Sequence, residues 1–490
     1  MFAYVVRVNV SPALRNAACP PGVCRRAWLS LAACLLLCPG APLAAGAPTG
    51  PDSAAVLDWR TGEDRVSAQI DGWSLDRLLE TVARLTRWQV YLDPAAEHVV
   101  NAKFRALPPG EALRRLLGPL NFALLPGTNG APARLYVFRD ARQAATLRIA
   151  VPDGASASGK RLEDEWIVTL PAGHPESIEA LARRLGATVL GRAEDLRAYR
   201  LKFDSTASAE AARRELEAAG ARVDFNYRVE RPDTAEVPLA GGSFNLGLKP
   251  QAAGAGSGVV VAVVDTAVQG RAAGLEDFLL PAVSVAGPAR VPEDQLTHGT
   301  SMSATLLRGL ASLAGAGAET PVRLLPVDVY GGQDSTTSFE MALGIQAAIN
   351  QGAQIVNLSL GGADPNPFVH RLIQAGRERG VVFLAAAGNA PVTDPTYPAA
   401  YPEVIAVTAL NRRGEVAAYA NRGDFVDVGA PGASVVVFQG QPYLVVGTSP
   451  ATANASALAA YLAATSGLRG AELDAAVRAR LALEAAAGRP

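Results

Sequence analysis

The stretch GVVVAVVDTAV, residues 258–268, runs through unbroken apolar sequence and stops on a carboxylate, Asp265. A half-buried strand would alternate apolar and polar residues. This one does not alternate, and its valines are β-branched, so it predicts a strand buried on both faces. Runs of the same kind follow: VRLLPVDVY (322–330), AQIVNLSLGG (353–362), VVFLAAAGN (381–389) and VIAVTAL (404–410), with helix-patterned sequence between them. Such strands, separated by helices, form a parallel sheet covered by helices, an α/β fold. In these sheets sites collect at the carboxyl ends of the strands.

Those ends carry chemistry. Asp265 closes the first run, where a carboxylate is costly to desolvate unless paired. His298 opens a helix in LTHGTSMSATLL (296–307), and Asn389 ends VVFLAAAGN. Ser449 lies in VVGTSPATANASALAAYL (445–462), at the start of an alanine-rich helix. Read alone, Ser449 is a helix cap with proline at the first helical position. Asp265 alone is a turn residue, and His298 alone a capping histidine. Together the four meet the needs of acyl transfer. A serine hydroxyl needs a base, and an imidazole titrates near working pH. The imidazolium needs a carboxylate, and the oxyanion needs an amide and a backbone N–H. His98, His174 and His370 have no such setting and read as surface residues.

The motifs VVDT, HGT, AAAGN and GTS, in that order, resemble the subtilisin-like serine peptidases, or subtilases. NLSLGG (357–362), YPAAYPEVIAVTAL (397–410) and GAPG (429–432) are further family segments. The resemblance covers roughly residues 256–466 and implies a subtilisin-like parallel sheet with flanking helices over residues 251–490. It implies a serine endopeptidase with Ser449 as nucleophile, His298 as general acid and base, and Asp265 as its orienting partner. Asn389 and the Ser449 backbone N–H would form the oxyanion hole. Ser359, Leu360, Gly361 and Gly388 would contact substrate. The chain departs from the family beside the nucleophile, where Met-Ala-Ser-Pro-His is usual and Pro450, Ala451, Thr452, Ala453 and Asn454 stand instead. Ala267 replaces a usual glycine. Proline disfavours helical dihedrals in the residue before it, so Pro450 is expected to push Ser449 out of helical geometry. That flank supports an alternative reading, a catalytically impaired binding or regulatory protein of the envelope. No cofactor is expected. Structural calcium is common in the family, but no dense acidic loop marks a site.

Residues 161–231 read as strand, helix, two strands, helix and strand, the ferredoxin-like α+β order. In this position they resemble the subtilase propeptide, which assists folding and then inhibits through its last strand. FNYRVERP (225–232) resembles the propeptide end, and the implied self-cleavage falls near residues 229–236, at or within the linker 232–250. Residues 55–140, including LPPGEALRRLLGPLNF (107–122), form a small α+β domain that resembles the short N-terminal domain of secretins and TonB-dependent transducers. That resemblance implies a protein-binding module of a Gram-negative envelope. A linker, 141–160, follows it.

Arginines 7, 15, 25 and 26 precede the apolar run AWLSLAACLLLC (27–38), and small residues follow it. Residues 1–47 therefore read as an export signal, with a core too short for a permanent span. Periplasmic, outer-membrane-associated or secreted locations are expected. Cys19, Cys24, Cys34 and Cys38 all lie in this segment. Cleavage after Ala45 or Ala47 would leave a chain without disulfides or thiolate chemistry. Lys+Arg (45) balance Asp+Glu (46), so no basic excess points to nucleic acid. The expected partners are polypeptide substrates, the chain's own propeptide-like domain and an envelope protein.

Overall fold

The structure is a computed structural model that describes residues 4–6, 56–60, 65–125, 133–149, 161–232, 235–239, 246–251, 258–288, 291, 293–315 and 317–483. Apart from residues 4–6, the expected export signal lies outside the described residues, as do residues 150–160 of the first linker.

In the N-terminal unit, strands Val56–Arg60, Arg65–Ser74 and Val99–Leu107 form an antiparallel sheet. Helix Leu75–Thr86 starts where the Ser74 hydroxyl accepts the Arg77 N–H, and it buries Leu78, Leu79 and Val82 at helical spacing. Helix Pro109–Leu117 and the hairpin Asn121–Leu125 with Arg134–Phe138 follow the expected order. Residues 141–149 correct part of the expected linker. They hold a turn at Arg142–Ala144 and a strand at Leu147–Arg148, with Ala145 and Ile149 buried.

Residues 90–94 and 141–149 belong to the second unit, which continues with β1 (Arg161–Thr169), α1 (Ile178–Leu185), β2 (Ala187–Ala193), β3 (Ala198–Phe203), α2 (Thr206–Ala218) and β4 (Arg222–Glu230). The strands pair antiparallel in the order β2-β3-β1-β4, as the ferredoxin-like reading requires. Ser177 and Ser205 cap the two helices, which pack over Trp166, Leu201 and Phe203.

The larger domain holds β5 (Ala235–Pro238), β6 (Val259–Asp265), β7 (Val283–Ser284), α3 (His298–Ala314), β8 (Val322–Asp328), β9 (Ser335–Thr337), α4 (Ser338–Asn350), β10 (Ile355–Leu358), α5 (Pro367–Glu378), β11 (Val382–Ala386), β12 (Val404–Leu410), β13 (Val428–Pro431), β14 (Ala433–Phe438), β15 (Gln441–Val446), α6 (Thr448–Ser466) and α7 (Gly470–Leu481). Its main sheet is parallel throughout, in the order β7-β8-β6-β10-β11-β12-β13. Alternate residues of β6 enter opposite cores. Val259, Val261 and Val263 meet Met302 and Leu306 of α3 and Ala457 of α6. Ala262 and Val264 meet Phe339 and Ile345 of α4 and Ile373 of α5. Burial on both faces is why the run carries no polar alternation.

The second linker is also partly built in. β5 pairs antiparallel with β15, and Leu248–Pro250 pairs in parallel with Ala318–Thr320. Main-chain groups make these pairings, so side-chain composition left no trace of them.

Candidate active site

Asp265 ends the central strand β6 and is fully buried. Its Oδ1 accepts the Thr266 N–H at 2.7 Å. Both carboxylate oxygens lie 2.8 Å from His298 Nδ1. That contact makes Nδ1 the N–H bearing nitrogen of the neutral ring and puts the basic lone pair on Nε2. His298 is the first residue of α3, held by Thr297, whose Oγ1 accepts the Thr300 N–H at 3.3 Å. Gly299 must be glycine, because a Cβ there would lie 2.1 Å from the Thr266 carbonyl oxygen. The close approach brings the helix start onto the end of β6.

Ser449 is the second residue of α6 and is 1% exposed. Two expectations are corrected here. The residue at the cap position is Gly447, with extended backbone, so Ser449 is not the cap. Ser449 also keeps its helical place with Pro450 after it, and Pro450, in the first turn, costs no intrahelical N–H bond of its own. The Ser449 hydroxyl donates to the Ser359 carbonyl at 3.5 Å. A buried polar chain lies behind it. Ser456 Oγ donates to Asn357 Oδ1 at 3.0 Å, Asn357 Nδ2 donates to Ser359 Oγ at 3.0 Å, and Ser359 Oγ donates to the Ser449 carbonyl at 3.3 Å. Asn454, in the place of the family's usual histidine, donates to the Pro431 carbonyl at 2.9 Å and ties α6 to β13.

Asn389 follows β11 and meets the start of α6. Its Oδ1 accepts from Thr448 N at 2.8 Å and from Thr448 Oγ1 at 2.9 Å. The amide oxygen is thereby committed to the helix, which fixes the opposite end of the group as the NH2 donor. Ser359, Leu360 and Gly361 leave the end of β10, and a Cβ on Gly361 would lie 2.5 Å from the Tyr397 carbonyl oxygen. Gly388 has φ near +107°, and its N–H donates to Thr448 Oγ1 at 3.1 Å. Among the described residues, no group of three or more His, Cys, Asp or Glu could hold a metal ion.

Residues 256–485 match the Subtilase family, and residues 150–225 match the Fervidolysin N-terminal prodomain. Thermitase of Thermoactinomyces vulgaris is 32% identical over 213 residues, 42% of this chain and 76% of its own. The chain belongs to the subtilase family. Subtilisin Savinase of Lederbergia lenta is also 32% identical, with 76% of its length covered, and M-protease of Shouchella clausii matches at 32% over 54% of its length. The solved structure of fervidolysin from Fervidobacterium pennivorans aligns with a TM-score of 0.47 at 22% identity, covering 62% of this chain and 55% of its own. This subtilase is a serine-type endopeptidase that carries a prodomain.

The subtilase's prodomain docks on the peptidase domain through β4. Arg228, Val229 and Glu230 pair antiparallel with Thr337, Thr336 and Ser335 of β9. Asn226, fully buried, accepts from the Ser338 hydroxyl and the Phe339 N–H at the start of α4. It donates at 3.0 Å to Glu165, whose carboxylate also takes Arg200 at 2.8 Å, and Arg200 reaches Glu340 of α4 at 2.8 Å. Past β4, the Arg231 N–H donates to the Asp334 carbonyl at 2.9 Å, and Arg231 borders a recess with Thr266, Ala267 and Thr297. β5 then lies on β15, and Glu236 accepts from Ser301 of α3 at 2.7 Å. The described chain on either side of residues 233–234 therefore borders the neighbours of Asp265 and His298.

Sequence reasoning missed Ser456, Thr448, Asn226 and Ser301. A signal existed for Asn357, since a polar residue inside a buried apolar strand must find a partner.

Proposed function

We propose that this subtilase cleaves polypeptides through an acyl-enzyme on Ser449 and first cleaves itself in the segment after β4. The contact of both Asp265 oxygens with His298 Nδ1 carries this reading. His298 Nε2 takes the Ser449 proton as the hydroxyl attacks the scissile carbonyl. The oxyanion falls to the Asn389 NH2 and the Ser449 N–H, the latter at a helix N-terminus whose dipole favours negative charge. His298 then protonates the leaving amine, and water repeats the sequence on the ester. Asp265 stays ionised and steadies the imidazolium.

Polypeptide substrate is supported by the edges of β9 and β15, each of which pairs here with extended chain on one side of the site. Ser359, Leu360 and Gly361 would border the bound backbone. The signal-like segment 1–47 supports export, and the N-terminal unit would tether the enzyme to an envelope protein. An active-site serine probe followed by mass spectrometry tests the chemistry. An adduct on Ser449, absent from Ser449→Ala, is expected, and no adduct in the processed protein overturns the reading. Processing should give a new N-terminus near residues 229–236 in wild type and leave Ser449→Ala intact. A shared N-terminus counts against self-cleavage.

A further inference from the structure

We infer that the leaving-group side of the cleft holds a subsite for a glutamate or glutamine side chain, built on the Ser301 hydroxyl. The inference rests on Ser449 as nucleophile and on the segment after β4 as the first substrate. β5 lies antiparallel on β15, with Ala235 opposite Val446 and Glu236 opposite Val445. β15 runs directly into Gly447, Thr448 and Ser449, so β5 occupies the backbone register that a leaving peptide would take. Main-chain pairing sets that register without regard to sequence, and side-chain pockets supply selection.

Ser301 supplies such a pocket. It lies three residues after His298 on α3, on the same face of the helix, and is fully buried. Its hydroxyl donates to Glu236 Oε1 at 2.7 Å. Among the described residues, the Ser301 hydroxyl is the side chain that hydrogen-bonds Glu236, and no ion pair holds it. Burial, with Asp265 nearby, disfavours a full negative charge there, against the opposing pull of the Ser301 hydrogen bond, His298 and Arg231. An oxygen at the reach of a glutamate, borne by a carboxyl or an amide, therefore suits the subsite. Aspartate is one methylene too short, and alanine leaves the Ser301 hydroxyl unpaired in a buried place.

Two measurements test this. The first needs no catalysis. In the full chain carrying Ser449→Ala, an added glutamate-specific protease cuts after Glu236 only when that side chain leaves Ser301. Adding Ser301→Ala should speed that cut, read by mass spectrometry, by about tenfold, the equivalent of one hydrogen bond. Unchanged cutting overturns the subsite. The second offers the processed wild-type enzyme peptides RVERPDTAEVPLA (residues 228–240) with Glu, Gln, Asp or Ala at the place of Glu236. kcat/KM for Glu and Gln should exceed that for Asp and Ala by about tenfold, and Ser301→Ala should collapse the gap. Equal rates across the four peptides overturn it, and varying the peptide alone leaves folding untouched. If Ser449 takes no probe and no peptide is cut, the catalytic reading fails, and the first measurement still decides the subsite.

Discussion

Pro450 occupies the third position of α6, inside the first turn, where it fits the helix beside Ser449, the proposed nucleophile. The helical N–H groups there have no intrahelical acceptor, so a residue without one costs little. The nucleophile is steadied from behind instead, by the chain Ser456–Asn357–Ser359. Removing Ser456 leaves the Asn357 amide oxygen in a fully buried place without its donor. Ser456→Ala should lower kcat by roughly 3- to 10-fold through displacement of Ser359, with KM nearly unchanged. Steady-state kinetics on a peptide substrate give that split, and an equal change in KM would place the effect in binding. Asn389→Ala should cut kcat by about 100- to 1000-fold with a small change in KM if, as proposed, its NH2 meets charge that develops only in the transition state.

β4 and β5 hold the peptidase on opposite sides of residues 233–234, and each has a separable weak point. Asn226 of β4 supplies a second acceptor to the Phe339 N–H at the start of α4, beside the Thr337 hydroxyl, and accepts from the Ser338 hydroxyl. Asn226→Leu keeps the branched shape, with a larger volume, but removes the acceptor and leaves Glu165 without its amide partner. The inhibition constant of the separated prodomain should rise about 10- to 100-fold. β5 depends on Glu236, whose pKa burial raises above the usual 4.5. The Ser301 hydrogen bond and the charge of His298 oppose that shift, Asp265 adds to it, and Arg231 opposes it. Because the docked strand holds the proton more tightly than the released strand, this contribution to docking is complete below about pH 4.5 and is lost as pH climbs through the raised value. In the Ser449→Ala chain, hydrogen-exchange protection of residues 235–237, corrected for intrinsic rate, should fall as pH rises. Glu236→Gln should remove the slope. A slope that survives in the glutamine variant would assign it to another group.

Across the whole molecule, local features are disclosed by the sequence and long-range ones are concealed. β6 could be read because burial on both faces strips polar alternation from a short run, and Asp265, His298, Asn389 and Ser449 because each ends or begins such a run. The pairing of β4 with β9 joins residues about a hundred positions apart, and no periodicity records it. The same holds for Asn226 with Phe339 and for β5 with β15. The rule that proline displaces the residue before it from helical dihedrals does not hold at Ser449, which stays helical with Pro450 after it. These long-range contacts also decide the state of the protein after self-cleavage. In the β4–β9 pairing, the Asn226 contacts and the Arg200 bridge between Glu165 and Glu340, the prodomain partner precedes residues 233–234 and the peptidase partner follows them, so the proposed cut between β4 and β5 breaks none of them. Cutting the chain there leaves them intact, so the prodomain should remain bound and hold the peptidase inactive after cleavage. Wild-type protein should therefore pass through a stage in which the cut is complete on a denaturing gel, both parts co-elute under native conditions, and peptide hydrolysis is absent. A trace of fully active enzyme should shorten that lag by degrading the free prodomain, and Asn226→Leu should shorten it without any addition. Activity that rises in step with cleavage would show instead that the covalent link, and not this interface, restrains the site.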